Sequence, residues 1–485
     1  MGSASEELHI LFFPLLAPGH MIPMVDMAKL FAARGVKATI LTTPANAAAV
    51  QSTIKCTDDS LRHRITVALL HFPSSAAVDG ENMSCLPTQA ARQNFLGSLA
   101  SLRQPFDQVL REHRPDCVVA DMFYPWTLSL AKELGIPLLF FHGMSFLTLC
   151  IDHGMHRPNS PLESLPDDPE TVIVLGLPHR IELKRSQIPD LAKVSSFLSD
   201  LFRQLGEAEM GCSGVLVNSF YELERDFADH YKKVTGRKAW HVGPVSLCNK
   251  DFDEKSSRGD TACIDCAHCL SWLDGKPPSS VLYICFGSLF QFSPAQLREM
   301  ALAFEASDTP FIWVVRNKSS EWLPEGYEER VVGGGKGMIL RGWAPQILIL
   351  NHPAVGGFLT HCGWNSCLEA VSSGLPMVTW PLFADQFYNE TLIVDMLKVG
   401  IVVGATEYVV EEGEIRVVKW DVIRRVVSRV MGGGKEAEGM RKRARELGER
   451  ARRALEVGGS SYVAMGELIK ELNEAKAARE KNRSR

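Results

Sequence analysis

The chain has 485 residues, 46% hydrophobic and 22% charged, which is too long for one ordinary core and too apolar for disorder, so two sizeable globular domains are expected. Lys and Arg number 52 against 57 Asp and Glu, a formal net charge of −5, and this balance supplies no basic field for a phosphate backbone or an anionic lipid surface. Nucleic acid is not expected as a partner.

Met1 to Leu16 puts acid ahead of its apolar run and lacks the basic start and cleavage site of a secretory signal. Glu6 stands where myristoylation needs Ser or Thr, and Arg483-Ser484-Arg485 is neither a prenyl box nor a peroxisomal address. A cytosolic location is expected. The run at 9–16 reads as a first strand, followed by Pro18-Gly19-His20 and a helical pattern. Strand-then-helix repeats follow, with strands at 37–42, 117–120, 137–141 and 214–218. The most membrane-like stretch, 136–151, is short and broken by His142, Gly143 and Ser145, so it reads as a buried strand entering a helix, with no stable membrane insertion.

After Cys248 the alternation stops, and the segment through Asp274 reads as a polar connector. It contains Asp251-Phe252-Asp253 and Cys263, Cys266 and Cys269. The cysteine spacing is that of the start of a zinc or iron–sulfur site, but no fourth ligand lies nearby, and the 12 cysteines of the chain are scattered like reduced thiols. No metal is expected. The alternation restarts with strands at 281–286, 311–315, 338–341, 357–360 and 377–381 and a helix at 294–306. Helical patterns at 434–455, read as a solvated surface helix, and at 460–475 close the chain, and the tail from Ala475 is expected to fray. The whole is an α/β protein of two Rossmann-like domains whose parallel sheets face a central cleft, at 1–247 and 279–459, joined by a linker at 248–278.

The second half contains WAPQILILNHPAVGGFLTHCGWNSCLEAVSSGLPMVTWPLFADQ, from Trp343 to Gln386. Within it 356–360 reads as a strand, 361–366 as a glycine-bearing turn through Gly363 and Trp364, and 367–373 as a helix. A helix N-terminus presents backbone N–H groups and a positive dipole end, which suits a diphosphate. His361, Asn365 and Ser366 add side-chain donors. Glu369, one turn on, can accept from both hydroxyls of a ribose. Trp343 offers an aromatic plane for a base, with the Ala344 backbone and the Gln346 amide near the base edge. Asp385 and Gln386 follow the strand at 377–381 and can together accept from and donate to vicinal sugar hydroxyls.

In the first half His20 begins a helix at the carboxyl edge of the first strand, where the helix dipole disfavours an imidazolium and leaves a proton-accepting ring. Asp121 ends the strand at 117–120 and reaches the same edge, where a carboxylate can fix the ring's tautomer and balance the cation it forms. Taken singly, each residue has a duller reading: a core Trp, a helix-surface Glu, a capping His, a turn Asp.

The segment 343–386 resembles, over its whole length, the signature box of plant family-one UDP-dependent glycosyltransferases. The resemblance implies a GT-B fold, an acceptor-binding first domain, a donor-binding second domain, and a C-terminal helix at 460–485 that packs back toward the first. It implies that Trp343, Gln346 and Glu369 hold the uridine, that His361, Asn365 and Ser366 hold the phosphates, joined by Ser288 in its FGS context, and that Ala344, Gly363 and Trp364 belong to the same donor-binding site. Trp380, Asp385 and Gln386 would meet the sugar, with Gln at the last position usually accompanying glucose. The PGH and AD contexts carry over the catalytic pair His20 and Asp121.

The implied reaction is inverting transfer of glucose from UDP-glucose to a hydroxyl of a small hydrophobic acceptor, a flavonoid or other phenolic, a terpenoid or a steroidal aglycone. It would need no metal and no cofactor, and the protein would be a monomer. Loops near 83–96, 144–149 and 186–205 would line the acceptor pocket. Other UDP-sugars (glucuronate, rhamnose, galactose) and a UDP-sugar-binding protein without activity are the competing readings. Hydrolase and dehydrogenase readings lack their parts, since neither Gly-x-Ser-x-Gly nor HExxH occurs and no Gly-x-Gly-x-x-Gly follows the first strand.

Overall fold

Apolar, β-rich runs stopped by Pro or Gly set the length of the strands: β1 (His9–Phe13) is fully buried along its length and ends where Pro14 removes a ladder donor. The computed structural model describes residues 7–74, 81–86, 88–155, 162–164, 167–188, 196–260, 262, 266–317, 319–409 and 416–483.

The chain divides into two units, the first made of Met1–Gly143, Asp190–Gly259 and Arg453–Arg485, the second of Met144–Pro189 and Asp260–Arg452. The strands of the first unit are β1, β2 (Lys37–Thr42), β3 (Ile65–Leu69), β4 (Cys117–Asp121) and β5 (Leu138–His142), and later in the chain β9 (Gly214–Val217) and β10 (Ala239–His241). Between them in sequence come β6 (Leu162–Ser164), β7 (Thr171–Val174) and β8 (Ile181–Lys184), an antiparallel sheet of the second unit. The rest of that unit holds β11 (Val281–Cys285), β12 (Phe311–Val315), β13 (Gly337–Arg341), β14 (Val355–Thr360), β15 (Met377–Thr379) and β16 (Gly400–Val402).

The first large sheet runs β10-β9-β5-β4-β1-β2-β3 and the second β13-β12-β11-β14-β15-β16, every neighbouring pair being parallel. Both are doubly wound. In each the strand order reverses once next to the first strand, between β1 and β4 and between β11 and β14, and ligands of such sheets bind beyond the carboxyl ends at that reversal. Buried Phe12, Met24, Phe31, Ile40 and Val119 belong to the core of the first unit, and Leu282, Phe304, Trp313, Leu359 and Trp380 to that of the second. Each large buried side chain contributes roughly 1.5–3 kcal/mol.

Several expectations are corrected. Residues 144–189 group with the second unit, because the helix Phe146–Met155 packs on the helix Gln386–Thr391 and Tyr408 N–H donates to the Ser186 carbonyl at 2.7 Å. The segment after Cys248 is no idle connector. Arg258 Nε meets Asp26 Oδ2 at 2.7 Å, Lys29 Nζ donates to Asn249 Oδ1 at 2.9 Å, and Asn249 Nδ2 donates to Asp26 Oδ1 at 2.9 Å, all buried. Glu254 Oε1, 3.5 Å from Lys29 Nζ, supplies the second carboxylate, so the charges compensate one another, and removing one member of such a cluster costs about 3–5 kcal/mol. They lock the segment to the helix Pro18–Ala32, which carries His20.

The helix Lys435–Leu455 is amphipathic and not simply solvated, since Ala437, Met440, Ala444, Leu447 and Ala451 are buried. As far as Arg483 the tail does not fray after Ala475: the last helix, Ser460–Arg483, includes it, with Lys476 Nζ 3.0 Å from Asp116 Oδ2 and Arg479 donating to the Asp116 carbonyl at 2.7 Å. Edge strands β3, β10 and β16 are absent from the sequence reading. Among the described residues no helix is long and apolar enough to cross a membrane.

Candidate active site

The sheet reversal of the first unit places the pair read from the sequence. Pro18 opens the helix Pro18–Ala32 after Ala17, and no side chain caps that end. His20 therefore sits in the first turn, while Asp121 is the last residue of β4, the strand beside β1. His20 Nδ1 stands 2.7 Å from Asp121 Oδ2, with the carboxylate fully buried and the imidazole 24% exposed. An ionised carboxylate only accepts, so Nδ1 carries the ring proton and Nε2 has the lone pair. Phe123 N–H donates to the other carboxylate oxygen at 3.2 Å, and the Phe123 ring meets the imidazole edge-on at 5.8 Å. Gly143, just past β5, leaves room beside the imidazole: a Cβ there would lie 3.6 Å from Cε1 of His20.

The reversal of the second sheet gathers the phosphate candidates. Ser288 follows β11 and His361 follows β14. The His361 ring lies between two glycine backbones, with a Cβ on Gly287 falling 2.6 Å from Nε2 and one on Gly363 at 2.5 Å. Only glycine fits at either place, and Gly287 also takes φ +75°. Burial pulls the His361 pKa down to about 4 against the opposing effect of the Cys285 carbonyl. The ring is therefore neutral at physiological pH, with one N–H to donate and no full positive charge. The helix starts at Trp364, with Gly363 as its N-cap, three residues earlier than the sequence pattern indicates. Asn365 and Ser366 thus belong to its first turn, which has no acidic residue and no side-chain cap, as suits an anion site.

Glu369 and Gln346 meet directly. Gln346 Nε2 donates to Glu369 Oε2 at 2.7 Å and to Ser366 Oγ at 3.2 Å, and Tyr283 from β11 donates to Gln346 Oε1 at 3.4 Å. Trp343 is half-buried, its indole N–H without a protein acceptor, and Ala344 is buried. Asp385 precedes the helix Gln386–Thr391, and its Oδ2 accepts from Asn389 Nδ2 at 2.8 Å. The same Asn389 nitrogen donates to the Cys362 carbonyl at 3.0 Å, tying the Asp385 loop to the turn after β14. Gln386 is buried, and its Oε1 accepts the Leu382 and Phe383 N–H groups at 2.8 and 3.1 Å. With that oxygen occupied, Gln386 enters the pair through its amide nitrogen as the donor, beside the accepting Asp385 carboxylate. Trp380 has no exposed surface and packs edge-on against Phe286 and Phe292.

Tyr283 and Asn389 escaped the sequence reading, because a strand Tyr and a helix Asn have no distinguishing local pattern. Asp251 caps a helix, accepting Glu254 N–H at 2.9 Å. Cys263 lies outside the described residues, as do parts of the loops at 83–96 and 186–205. Among the described residues no three His, Cys, Asp or Glu side chains come together as metal ligands.

Residues 272–412 match the family described as UDP-glucoronosyl and UDP-glucosyl transferase. A scopoletin glucosyltransferase of Nicotiana tabacum is 45% identical over 96% of this chain and 98% of its own length. A UDP-glucose flavonoid 3-O-glucosyltransferase 7 of Fragaria ananassa is 44% identical over 97% of each. The solved structure of Glycyrrhiza uralensis UGT73P12, complexed with glycyrrhetinic acid 3-O-monoglucuronide, is similar at a TM-score of 0.91 and 40% identity, over 98% of both chains. Medicago truncatula UGT71G1, complexed with UDP-glucose, is similar at a TM-score of 0.78 and 25% identity, over 97% of this chain and 100% of that one.

Proposed function

The chain belongs to the plant family-one UDP-dependent glycosyltransferases, and from that premise we propose that it transfers glucose from UDP-glucose to a hydroxyl of a small, largely apolar acceptor. The observation that carries the reading is the contact of His20 Nδ1 with the buried Asp121 carboxylate at a sheet reversal. Nε2 of His20 takes the acceptor proton as its oxygen attacks the anomeric carbon. The bond from that carbon to the UDP oxygen breaks, and a β-O-glucoside and UDP leave. Asp121 balances the imidazolium. In the second unit the first turn of the helix Trp364–Ser373, with His361 and Ser288 as neutral donors, receives the charge that returns to UDP.

Trp343 stacks on the uracil, the Gln346–Glu369 pair holds the ribose, and Asp385 with the Gln386 N–H holds the sugar. The relatives named for scopoletin and flavonoids support a phenolic acceptor, and the aromatic edge of Phe123 beside His20 supports a flat one. We take the reaction to need no metal and the protein to work as a cytosolic monomer. The test is a donor panel with one phenolic acceptor, read by mass spectrometry. UDP-glucose should give the fastest product formation, and a faster rate with UDP-glucuronate, UDP-rhamnose or UDP-galactose would reject glucose as the donor.

A further inference from the structure

Where the Asp385 carboxylate points depends on a short loop, 382–385, between β15 and the helix Gln386–Thr391. Two N–H groups of that loop, those of Leu382 and Phe383, are held from the helix by Gln386 Oε1. The next residue, Ala384, takes φ +55°. A residue with a Cβ seldom adopts this left-handed backbone, which persists only where its surroundings hold it. The strained residue stands directly before the carboxylate read as meeting the sugar, so whatever holds Ala384 also aims Asp385.

Tyr408 holds it. The Tyr408 hydroxyl oxygen accepts the Ala384 N–H at 3.0 Å. Its own backbone N–H donates to the Ser186 carbonyl at 2.7 Å, and Ser186 Oγ donates to the Thr406 carbonyl at 2.5 Å. Val409 N–H donates to the Leu382 carbonyl at 2.8 Å. Residues 406–409 thus join Ser186 to the loop that carries Asp385, all within the second unit. Burial raises the pKa of the Tyr408 phenol, with the Ala384 N–H opposing and the charges of Asp385 and Asp152 adding to the rise. The hydroxyl stays protonated at neutral pH and acts on Ala384 as a hydrogen-bond acceptor, not as a charge.

We propose that Tyr408 is a positioning residue for the donor sugar, its hydroxyl keeping Ala384 in the left-handed turn and so setting the Asp385 carboxylate against the sugar hydroxyls. Asn389 Nδ2, 2.8 Å from Asp385 Oδ2, fixes the carboxylate itself, and Tyr408 fixes the backbone that delivers it. The inference rests on the UDP-sugar reading above and goes beyond it by placing part of the sugar selection outside the signature segment: Tyr408 lies 22 residues past Gln386 (408 − 386).

Calorimetry on the full chain with UDP and with UDP-glucose, without acceptor, tests it. Tyr408→Phe keeps the half-buried ring and removes one hydroxyl, so it should melt near the parent temperature. It should bind UDP-glucose about threefold to tenfold more weakly, as for loss of a neutral hydrogen bond, and bind UDP as the parent does. Asp385→Ala should also weaken UDP-glucose and spare UDP, and adding Tyr408→Phe to it should cost nothing further, because the hydroxyl acts through Asp385. Equal losses for UDP and UDP-glucose, additive losses in the double variant, or a Tyr408→Phe protein that does not fold would make the hydroxyl a general support and overturn the proposal. If Asp385→Ala weakens UDP-glucose and Tyr408→Phe does not, the donor reading stands and the proposal alone falls. If Asp385→Ala leaves UDP-glucose binding unchanged, the sugar role of Asp385 fails, and the proposal with it.

Discussion

Gln346 Nε2 and Glu369 Oε2 are 2.7 Å apart, so the amide fixes the position of the carboxylate. The Tyr283 hydroxyl, donating to Gln346 Oε1 at 3.4 Å, fixes which end of the amide faces Glu369. Glu369→Ala should weaken UDP by about tenfold to a hundredfold, as expected for charged hydrogen bonds. Tyr283→Phe should weaken it only a few-fold, about 0.5–1.5 kcal/mol. Calorimetry with UDP measures both, and equal effects would show that the relay through Gln346 is wrong.

Substitution at the first sheet reversal should spare binding and remove chemistry. His20→Ala is expected to lower the transfer rate by about 10²–10⁴-fold, the range for loss of a general base, with UDP affinity unchanged. Asp121→Asn keeps a hydrogen bond to Nδ1 but cannot balance an imidazolium, so its turnover falls less. Single-turnover kinetics on a non-acidic alcohol acceptor makes the comparison. An unaltered rate in His20→Ala would end the mechanism.

Gln386 separates a structural duty from a recognition duty. Gln386→Ala leaves the buried Leu382 and Phe383 N–H groups without their acceptor, at a cost of about 1–3 kcal/mol for each group left unsatisfied. Its melting temperature should fall. Gln386→Glu keeps the acceptor oxygens and loses the donating amide, so it should melt near the parent temperature while kcat/KM for UDP-glucose drops. If both variants lose stability equally, the side-chain oxygen does not have the part assigned to it.

Glu390 gives a signature in pH. Burial raises its pKa from 4.5 to about 8, with Asp395 adding to the shift and Thr379 opposing it, and its Oε2 has no partner. The folded chain keeps this proton over a range in which the unfolded chain has released it. Stability is therefore greatest below the unfolded pKa and is lost as pH climbs from 4.5 through about 8. Glu390→Gln cannot ionise, so its denaturation midpoint should fall less between about pH 6 and pH 9 than that of the parent. Parallel pH profiles for the two proteins would refute this.

Chelation supplies a check of another kind. EDTA should leave the glucosylation rate intact, because Asp251 is spent as a helix cap. Loss of activity with recovery on adding Mn²⁺ would reinstate a metal.

Alternation of apolar strands with helical patterns was enough to foresee both large sheets, because each buried parallel strand is a continuous apolar run. The pattern also located the candidates: Asp121 closes a strand, His361 directly follows one, and His20 and Glu369 lie in the helices that come next. Residues 144–189 were not. Their antiparallel strands β6, β7 and β8 are three or four residues long, and what assigns them to the second unit is contact with distant residues such as Tyr408. Asn389 acts through the backbone carbonyl of Cys362, a contact that no local spacing announces. The neutrality of His361 depends on burial between two glycine backbones, which is a property of the packed turn and not of the histidine.

The first unit is assembled from three stretches of chain, closed by Arg453–Arg485, and the second from two. A chimera that exchanges halves with a relative at a single junction near Gly259 would hand the second unit a foreign 144–189 segment. It would also seat a foreign terminal helix on Asp116 and Arg34, where Arg479 and Tyr462 now bind. Donor and acceptor preferences should move independently only in hybrids spliced at all four borders, and a stop codon placed before Arg453 should cripple the half of the protein that is farthest from it in sequence.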